Sequence, residues 1–167
     1  IDLLLGLLQP ISGQIFIDDI ALSKENLRNW QNSLGLVSQS IFLADSSIRE
    51  NIAFGLSPEF IDENIIKRSS TMAHLDTLLK SLPHGLDTRV GERGIQLSGG
   101  ERQRIGIARA LYNNAEVLVF DEATSNLDGI TEKLIMEAIH DFSGKKTIII
   151  IAHRLATIKQ CDLIYLM

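Results

Sequence analysis

The pattern of apolar and polar positions divides the start of the chain into one helix and two strands. Apolar residues recur at helical spacing in the segment 1–8, and Pro10 and Gly13 end that pattern. This spacing predicts that the chain opens within a helix. Residues 14–18 alternate as in a strand, and residues 34–39 form a short apolar run that ends in polar residues.

The middle of the chain has the pattern of helices. Residues 46–54 and 59–82 carry apolar positions at helical spacing, and no strand pattern lies between them. A further helix is predicted to begin near Ser98. Its buried face is predicted to comprise Ile105, Ala108 and Leu111.

The last third of the chain returns to strand patterns. Residues 116–122 form an apolar run that closes on two carboxylates, which is typical of a strand buried on both faces. Residues 146–153 repeat this pattern and end on a histidine, and residues 161–167 predict one more strand. An amphipathic helix is predicted over residues 127–142. Its inner face is predicted to comprise Ile130, Leu134, Ile135, Ala138, Ile139 and Phe142.

Strands that alternate with helices indicate an α/β fold with a parallel sheet. The helical residues 46–112 would be inserted between two parts of this sheet-containing core, residues 1–45 and 113–167. The 167 residues are enough for one domain with an inserted lobe.

Charge and composition exclude several classes of function. The net charge of −5 argues against nucleic acid as a partner, because a duplex-binding surface would show a basic stripe. The single cysteine, Cys161, cannot form an internal disulfide, which favours a reducing compartment. The longest apolar run, residues 148–152, is too short to span a bilayer.

The predicted helix start at residues 98–101 allows two interpretations. Ser98 and Glu101 have the spacing of a capping box, in which each side chain satisfies a backbone N–H. The cap does not explain Gly99 and Gly100, which remove Cβ atoms where a ligand or another backbone could approach. A helix N-terminus also attracts phosphate, so an anion site fits these residues at least as well.

Polar side chains follow three of the predicted strands, and ligands bind outside the carboxyl ends of strands in open α/β sheets. These side chains are Gln39, the adjacent Asp121 and Glu122, and His153. Asp121 is a candidate Mg²⁺ ligand, and Glu122 could orient or deprotonate a water. With Gln39 near the metal or the water and His153 near the phosphoryl group, this is a constellation for nucleotide hydrolysis.

Five short motifs follow one another along the chain. They are "VSQ" ending at Gln39, "LSGGERQR" from Leu97, "VLVFDE" ending at Glu122, "SNLD" from Ser125 and "IAHR" containing His153. They resemble, in family order, the Q-loop, signature, Walker B, D-loop and H-loop of the nucleotide-binding domain of ABC transporters. Several motifs in order are far more specific than any one of them.

The resemblance implies a P-loop NTPase-like parallel sheet flanked by helices, with an inserted all-helical subdomain that carries the signature motif. It implies ATP and Mg²⁺ as cofactors, with Asp121 and Gln39 as metal ligands and Glu122 and His153 as catalytic residues. The expected partner is a second nucleotide-binding domain in a head-to-tail homo- or heterodimer.

Two further groups of residues take their roles from the same resemblance. The signature residues would bind ATP held mainly by the facing domain; they are Ser98, Gly99, Gly100 and Glu101. The D-loop assignment falls on Ser125 and Asp128. Two residues depart from the family pattern, since Glu101 stands where many members have Gln and Asn126 replaces a more common Ala. Both departures predict altered activity and not an inactive site.

The segment "TRVGERG" resembles the loop by which exporter-type domains touch the coupling helices of transmembrane domains. The residues of this loop are Val90, Gly91, Glu92, Arg93 and Gly94. Without the family, "VGERG" would be interpreted as a solvated charged turn. With the family resemblance, the chain is expected to be the ATPase domain of an exporter at the cytoplasmic face of a membrane. The resemblance does not specify the transported substrate.

The phosphate-binding motif G-x-x-G-x-G-K-[ST] does not occur in the 167 residues. Residues 1–8 resemble the helix that follows that loop, so the chain is expected to begin just after the Walker A loop. The transmembrane region is expected to lie outside it as well. The chain alone is therefore expected to be inactive. Two alternatives stay open: an ABC-type ATPase without a membrane partner, and a non-catalytic fragment.

Overall fold

The structure is a computed structural model. It describes residues 1–92, 95–124, 129–142, 144–153, 157, 159 and 161–166. A three-stranded parallel sheet forms its centre, in the order β3, β6, β7. These strands are β3 (Leu34–Val37), β6 (Val117–Asp121) and β7 (Thr147–Ile151).

The middle strand of this sheet is the most deeply buried. Leu118, Val119 and Phe120 are almost fully excluded from solvent, as the continuous apolar run predicts. β6 pairs in register with both neighbours, so that Phe120 lies opposite Val37 of β3 and Ile150 of β7. The three strands therefore end at the same edge of the sheet.

The described structure contains six α-helices. They are α1 (Leu27–Ser33), α2 (Ile48–Ile52), α3 (Glu63–Met72), α4 (Asp76–Ser81), α5 (Gly99–Tyr112) and α6 (Gly129–His140). Short 3₁₀ turns occur at Pro58–Phe60 and Gly85–Asp87. α5 packs against β3, α2 and α3, which joins the sheet to the helical segment. None of the described helices is long and apolar enough to cross a membrane.

Two small antiparallel pairs lie outside the main sheet. β1 (Phe16–Ile17) and β2 (Ile20–Ala21) form a hairpin whose two turn residues, Asp18 and Asp19, both have positive φ. This is the geometry of a type I′ turn. β4 (Ser46–Ser47) pairs with β5 (Arg89–Val90), although the two strands lie far apart in the sequence.

The predicted α/β fold with a parallel sheet is confirmed, and so are the three strands that build the sheet. The predicted helix in residues 1–8 is wrong. This segment makes one i→i−4 bond, from the N–H of Leu5 to the carbonyl of Ile1, and Gly6 then turns to φ +68°. A glycine in this conformation ends a helix. The indole Nε1–H of Trp30 donates a hydrogen bond to the carbonyl oxygen of Leu4 at 2.7 Å, which attaches this segment to α1.

Three further expectations need correction. The helix predicted over residues 46–54 is too long, since Ser46 and Ser47 form β4 and the helix is α2, Ile48–Ile52. The strand expected near the end is not formed in the described residues 161–166, which have no ladder partner and are mostly exposed. An apolar run becomes a strand only when another strand satisfies its backbone groups. Ile130 is 78% exposed, whereas Ile135, Ala138, Ile139 and Phe142 are buried as predicted and Leu134 is half-buried.

The predicted domain boundaries at 45/46 and 112/113 stay a prediction. Helices α2 to α5 all lie between those boundaries, and the three strands of the parallel sheet lie outside them.

An ionic network joins parts of this middle segment. Arg49 of α2 donates to Asp87 at 2.8 Å and also bonds Glu63 at the start of α3.

This network generates a prediction of pH-dependent stability. The hydrogen bond that Arg49 donates to Asp87 lowers the pKa of the Asp87 carboxyl. The resulting stabilisation is present above the unfolded pKa of about 3.9 and is lost as the pH falls through the lower folded pKa. We expect Asp87→Asn to reduce the free energy of unfolding at pH 7 by only about 0.2–1 kcal/mol, since solvent screens an exposed pair. The Asp87 side chain is 66% exposed.

Chemical denaturation at pH 7 and in acid measures this effect. The difference between Asp87→Asn and the parent should vanish in acid, below the folded pKa of Asp87. The matched control is Asp141→Asn, because Asp141 is also exposed and follows the end of α6. A difference that persisted unchanged in acid would contradict the ionic explanation.

Candidate active site

Glu122 lies at the centre of the candidate site. The amide nitrogen Nε2 of Gln39 donates to Oε2 of Glu122 at 3.0 Å, and Nε2 of His153 lies 2.9 Å from Oε1. The three side chains follow β3, β6 and β7, so the parallel sheet brings them to one edge. The structure thus joins three of the four polar residues that the sequence placed at strand ends.

The backbone of Glu122 has an uncommon conformation. Its N–H donates to the carbonyl of Ile151 at 2.9 Å, which continues the β6–β7 ladder by one residue. Its φ is +48°, in the left-handed region that glutamate rarely adopts. Such strain persists only where the surrounding structure imposes it, and it is concentrated at functional sites. The chain turns sharply here, directly after the last strand residue.

Asp121 is the last residue of β6 and is half-buried. Mg²⁺ is usually held by one or two carboxylates together with substrate phosphates and waters. The carboxylate of Asp121 and the amide oxygen of Gln39 are suitable ligands of this kind, so the residues fit the ion. Among the described residues there is no cluster of three or more acidic, histidine or cysteine side chains that could hold a metal by themselves.

The site is open to solvent on one side. The side chain of His153 is 80% exposed, and that of Glu122 is 27% exposed. A cleft connects Glu122 with the first turn of α5. It is lined by Gln39, Ser40, Ile41, Gly99, Arg102, Gln103, Glu122 and Ala123. One of the predicted signature residues, Gly99, therefore borders the same cleft as Gln39 and Glu122.

The start of α5 forms the predicted capping box. The N–H of Glu101 donates to the Ser98 hydroxyl at 3.3 Å, and the N–H of Ser98 donates to the Glu101 carboxylate at 2.7 Å. Apart from its chain neighbours and the backbone of its own helix, a Cβ placed on Gly99 would meet no atom of the described residues within 4 Å. Packing within the chain therefore does not require glycine at this position. The cap is confirmed, and the glycine needs an explanation outside the packing of the chain.

Comparison with known proteins identifies the family. The family model described as "ABC transporter" matches residues 1–125, three quarters of the chain. The chain belongs to the ABC transporter family. It is 41% identical over 166 residues to the heterocyst differentiation ATP-binding protein HepA of Nostoc sp., covering 99% of this chain and 27% of that protein.

Two other ABC relatives agree with this assignment. An ATP-dependent lipid A-core flippase of Shewanella oneidensis is 44% identical over 151 residues, covering 90% of this chain and 25% of that protein. The structure of a bacterial Atm1-family ABC exporter with ATP bound has a TM-score of 0.84 and 38% identity, covering 94% of this chain and 27% of that one. The chain thus spans about a quarter of the length of these ABC relatives.

The described part of the predicted coupling loop is attached to the segment that follows Gln39. Val90 is fully buried and pairs with Ser46 of β4. Gly91 has φ +101°, and a Cβ on it would lie 2.9 Å from the Cα of Asp45. Any larger residue would therefore be both strained and obstructed here. Glu92 is exposed.

Four predicted site residues of this ABC domain lie outside the described residues. They are Arg93, Gly94, Ser125 and Asp128. Asn126, the departure from the D-loop pattern, also lies outside them. The roles of these residues stay predictions.

A polar centre formed by Asn51 and Arg109 was not predicted from the sequence. Asn51 is fully buried, and its side chain bonds the backbone of Ala44 in both directions at 2.9 and 3.0 Å. Arg109 donates from Nε to the carbonyl of Asn51 at 2.8 Å. Burial lowers the pKa of Arg109. The available signal was a lone arginine, between Ala108 and Ala110, in the apolar second half of α5.

Proposed function

We propose that this chain is the main part of the ATP-binding and ATP-hydrolysing motor domain of an ABC exporter. The observation that carries the proposal is the convergence of Gln39 and His153 on the carboxylate of Glu122. This arrangement forms at the carboxyl ends of parallel strands, where α/β proteins bind their ligands. The flippase and exporter among the relatives support the same class of activity.

Glu122 acts as the general base in this proposal. Each of its two carboxylate oxygens has a nitrogen within 3.0 Å, which fixes the orientation of the group. A carboxylate so held orients a water and accepts its proton as the water attacks the terminal phosphorus of ATP. The bond between that phosphorus and the oxygen of the leaving ADP breaks, giving ADP and phosphate.

His153 and Gln39 contribute in different ways. In the tautomer with the proton on Nε2, His153 donates to Glu122, and its largely exposed ring is accessible to the phosphoryl group. Gln39 positions Glu122 and offers its amide oxygen as a metal ligand, together with Asp121. Bound Mg²⁺ supplies neutralisation of the phosphate charge.

The signature residues act on a nucleotide held by a second nucleotide-binding domain, in a head-to-tail homo- or heterodimer. Gly99 supports this assignment, since its open surroundings leave room for a phosphate group from outside the chain. The helix start provides backbone N–H groups and a positive dipole end toward that phosphate. Ser98, Gly100 and Glu101 share the same turn, and the D-loop residues Ser125 and Asp128 belong to the same interface.

The coupling loop, Val90 to Gly94, transmits the motion to transmembrane domains with coupling helices, at the cytoplasmic face of a membrane. The packing of Gly91 against Asp45 supports this role, because it ties the loop to the segment after Gln39. Exposed Phe42 and Phe54 lie beside Arg109 and add apolar surface at this end. Nucleic acid is not proposed as a partner, given the net charge of −5.

The second candidate is an ABC-type ATPase without a membrane partner. It shares the hydrolytic residues and differs in the role of the loop at Val90 to Gly94. The flippase name and the exporter structure among the relatives favour the exporter.

The helical segment 46–112 is proposed to be the subdomain that carries the signature, inserted between the core parts 1–45 and 113–167.

The first functional prediction concerns Glu122→Gln in the full-length parent protein. The amide keeps the size of the side chain but cannot accept the proton, so turnover should fall by about 10² to 10⁴-fold. ATP binding should persist, because the other contacts are unchanged. Steady-state ATPase assays and nucleotide affinity measure both effects. Glu116→Gln is the matched control, since Glu116 is exposed and precedes the same strand. Turnover at the parental rate would refute the role of Glu122.

The second functional prediction concerns Gly99→Asp in the full-length parent. The new carboxylate would face the phosphates of the partner's nucleotide, and this like-charge contact should block dimer-dependent hydrolysis. ATP binding by one monomer should be spared. Equilibrium binding to the monomer and ATP-dependent dimerisation are measured separately. A loss of monomer affinity with intact dimerisation would place the signature beside its own chain's nucleotide instead.

The third functional prediction concerns the 167 residues as an isolated polypeptide. They contain no Walker A motif, and the candidate residues Asp121 and Glu122 repel phosphate unless a metal is bound. We expect no measurable ATPase activity and an ATP affinity no tighter than roughly millimolar, about −4 kcal/mol. Calorimetry with Mg-ATP tests this. A micromolar dissociation constant would reveal a phosphate site that the sequence analysis missed.

A further inference from the structure

Residues 38–42, which follow β3 and include Gln39, lie against one side of α5. The amide nitrogen of Gln103 donates to the carbonyl of Ser38 at 3.2 Å. Arg109 donates from Nη2 to the carbonyl of Phe42 at 3.1 Å. Between these two bonds, Ile41 packs on Gly106, so closely that a Cβ on Gly106 would lie 2.4 Å from Cδ1 of Ile41. Gln103, Gly106 and Arg109 are called the α5 stripe below.

The spacing of the α5 stripe explains how it fits the segment. Its members are three residues apart, so each lies slightly less than one turn beyond the last, and neighbouring members share a side of the helix. The segment runs along this side and makes contacts through Ser38, Ile41 and Phe42. Gln39 lies between the first two of these contacts.

Two members of the α5 stripe are polar, of which Gln103 is buried and Arg109 is half-buried. Gln103 is 96% buried, so losing its bond to Ser38 would leave an unsatisfied amide. The guanidinium of Arg109 also donates to Asn51 and stacks over Phe54, with Cζ 4.7 Å from the ring centroid. Arg109 therefore joins the segment, α2 and α5 at one point.

We propose that the α5 stripe is the positioning surface that holds Gln39 on Glu122. This inference rests on the proposed ATPase function and assigns Gln103, Gly106 and Arg109 as positioning residues. The same helix begins with Ser98 and the signature glycines. A shift of α5 along the sheet therefore moves Gln39 relative to Glu122. In this way the signature turn is linked to the proposed general base within one chain.

The contact between Gly106 and Ile41 is tested in the full-length protein by enlarging Gly106 and then truncating Ile41. Alanine is the better helix former, so a loss caused by Gly106→Ala cannot come from helix propensity. The added Cβ would lie 2.4 Å from Cδ1 and 2.8 Å from Cγ1 of Ile41, so this side chain must move, and we expect its movement to shift Gln39. We expect kcat to fall by about 10 to 10²-fold, because displacing a catalytic group by about an ångström has an effect of this size. ATP affinity should stay within about twofold of the parent.

The double variant Gly106→Ala with Ile41→Ala removes the atoms that the new Cβ would meet. It should recover kcat to within about threefold of the parent, a coupling expected only of residues in contact. A general loss of folding would lower ATP affinity as well and would not be rescued by a second truncation. Failure of this rescue would overturn the proposal.

Hydrogen exchange of the peptide covering residues 38–45 gives a readout that does not depend on turnover. Arg109→Lys should raise its exchange, because one ammonium cannot replace the guanidinium donors toward Phe42 and Asn51. Arg68→Lys is the matched control, since Arg68 is an exposed arginine of α3. Unchanged exchange in Arg109→Lys would overturn the proposal.

These outcomes separate the inference from the proposed function. A full-length parent without ATPase activity would refute the proposed function, while the exchange experiment would still report on the contact of α5 with residues 38–45. An active parent in which Gly106→Ala and Arg109→Lys keep the parental kcat would refute the positioning role alone.

Discussion

The site depends on the parallel pairing of β6 between β3 and β7. This pairing aligns three strands in register, so that Gln39, Glu122 and His153 emerge at one edge although they are distant in the sequence. The apolar burial of β6 provides the stability that holds the arrangement. A slip of one residue would turn the side chains of β6 to the opposite face and separate the three groups.

Much of the fold and of the site could be predicted from local patterns. The apolar run before Asp121 and the capping box at Ser98 each have a local physical cause, and both are formed. β4 could not be predicted, because Ser46 and Ser47 have no strand pattern and pair only with the distant β5. The polar centre of Asn51 and Arg109 likewise exists only through tertiary contacts, which no periodicity indicates.

Glu122 shows how the backbone and the chemistry of the site are connected. The ladder bond from its N–H to Ile151 and its left-handed φ occur at the same residue, so the strand ends and turns at the proposed base. A glycine would relieve the strain but would remove the carboxylate that Gln39 and His153 hold. Stability and function therefore favour different residues at this position, and the pairing of β6 with β7 offsets the cost of keeping glutamate.

The hydrogen bond from Trp30 to Leu4 has a spectroscopic consequence. Trp30 is the only tryptophan in the 167 residues, so ultraviolet excitation near the red edge of protein absorption selects a single indole. Its emission wavelength depends on the polarity around the ring and on the bond made by its N–H. This natural fluorophore therefore reports whether the first turn of the chain is seated on α1, without any attached dye.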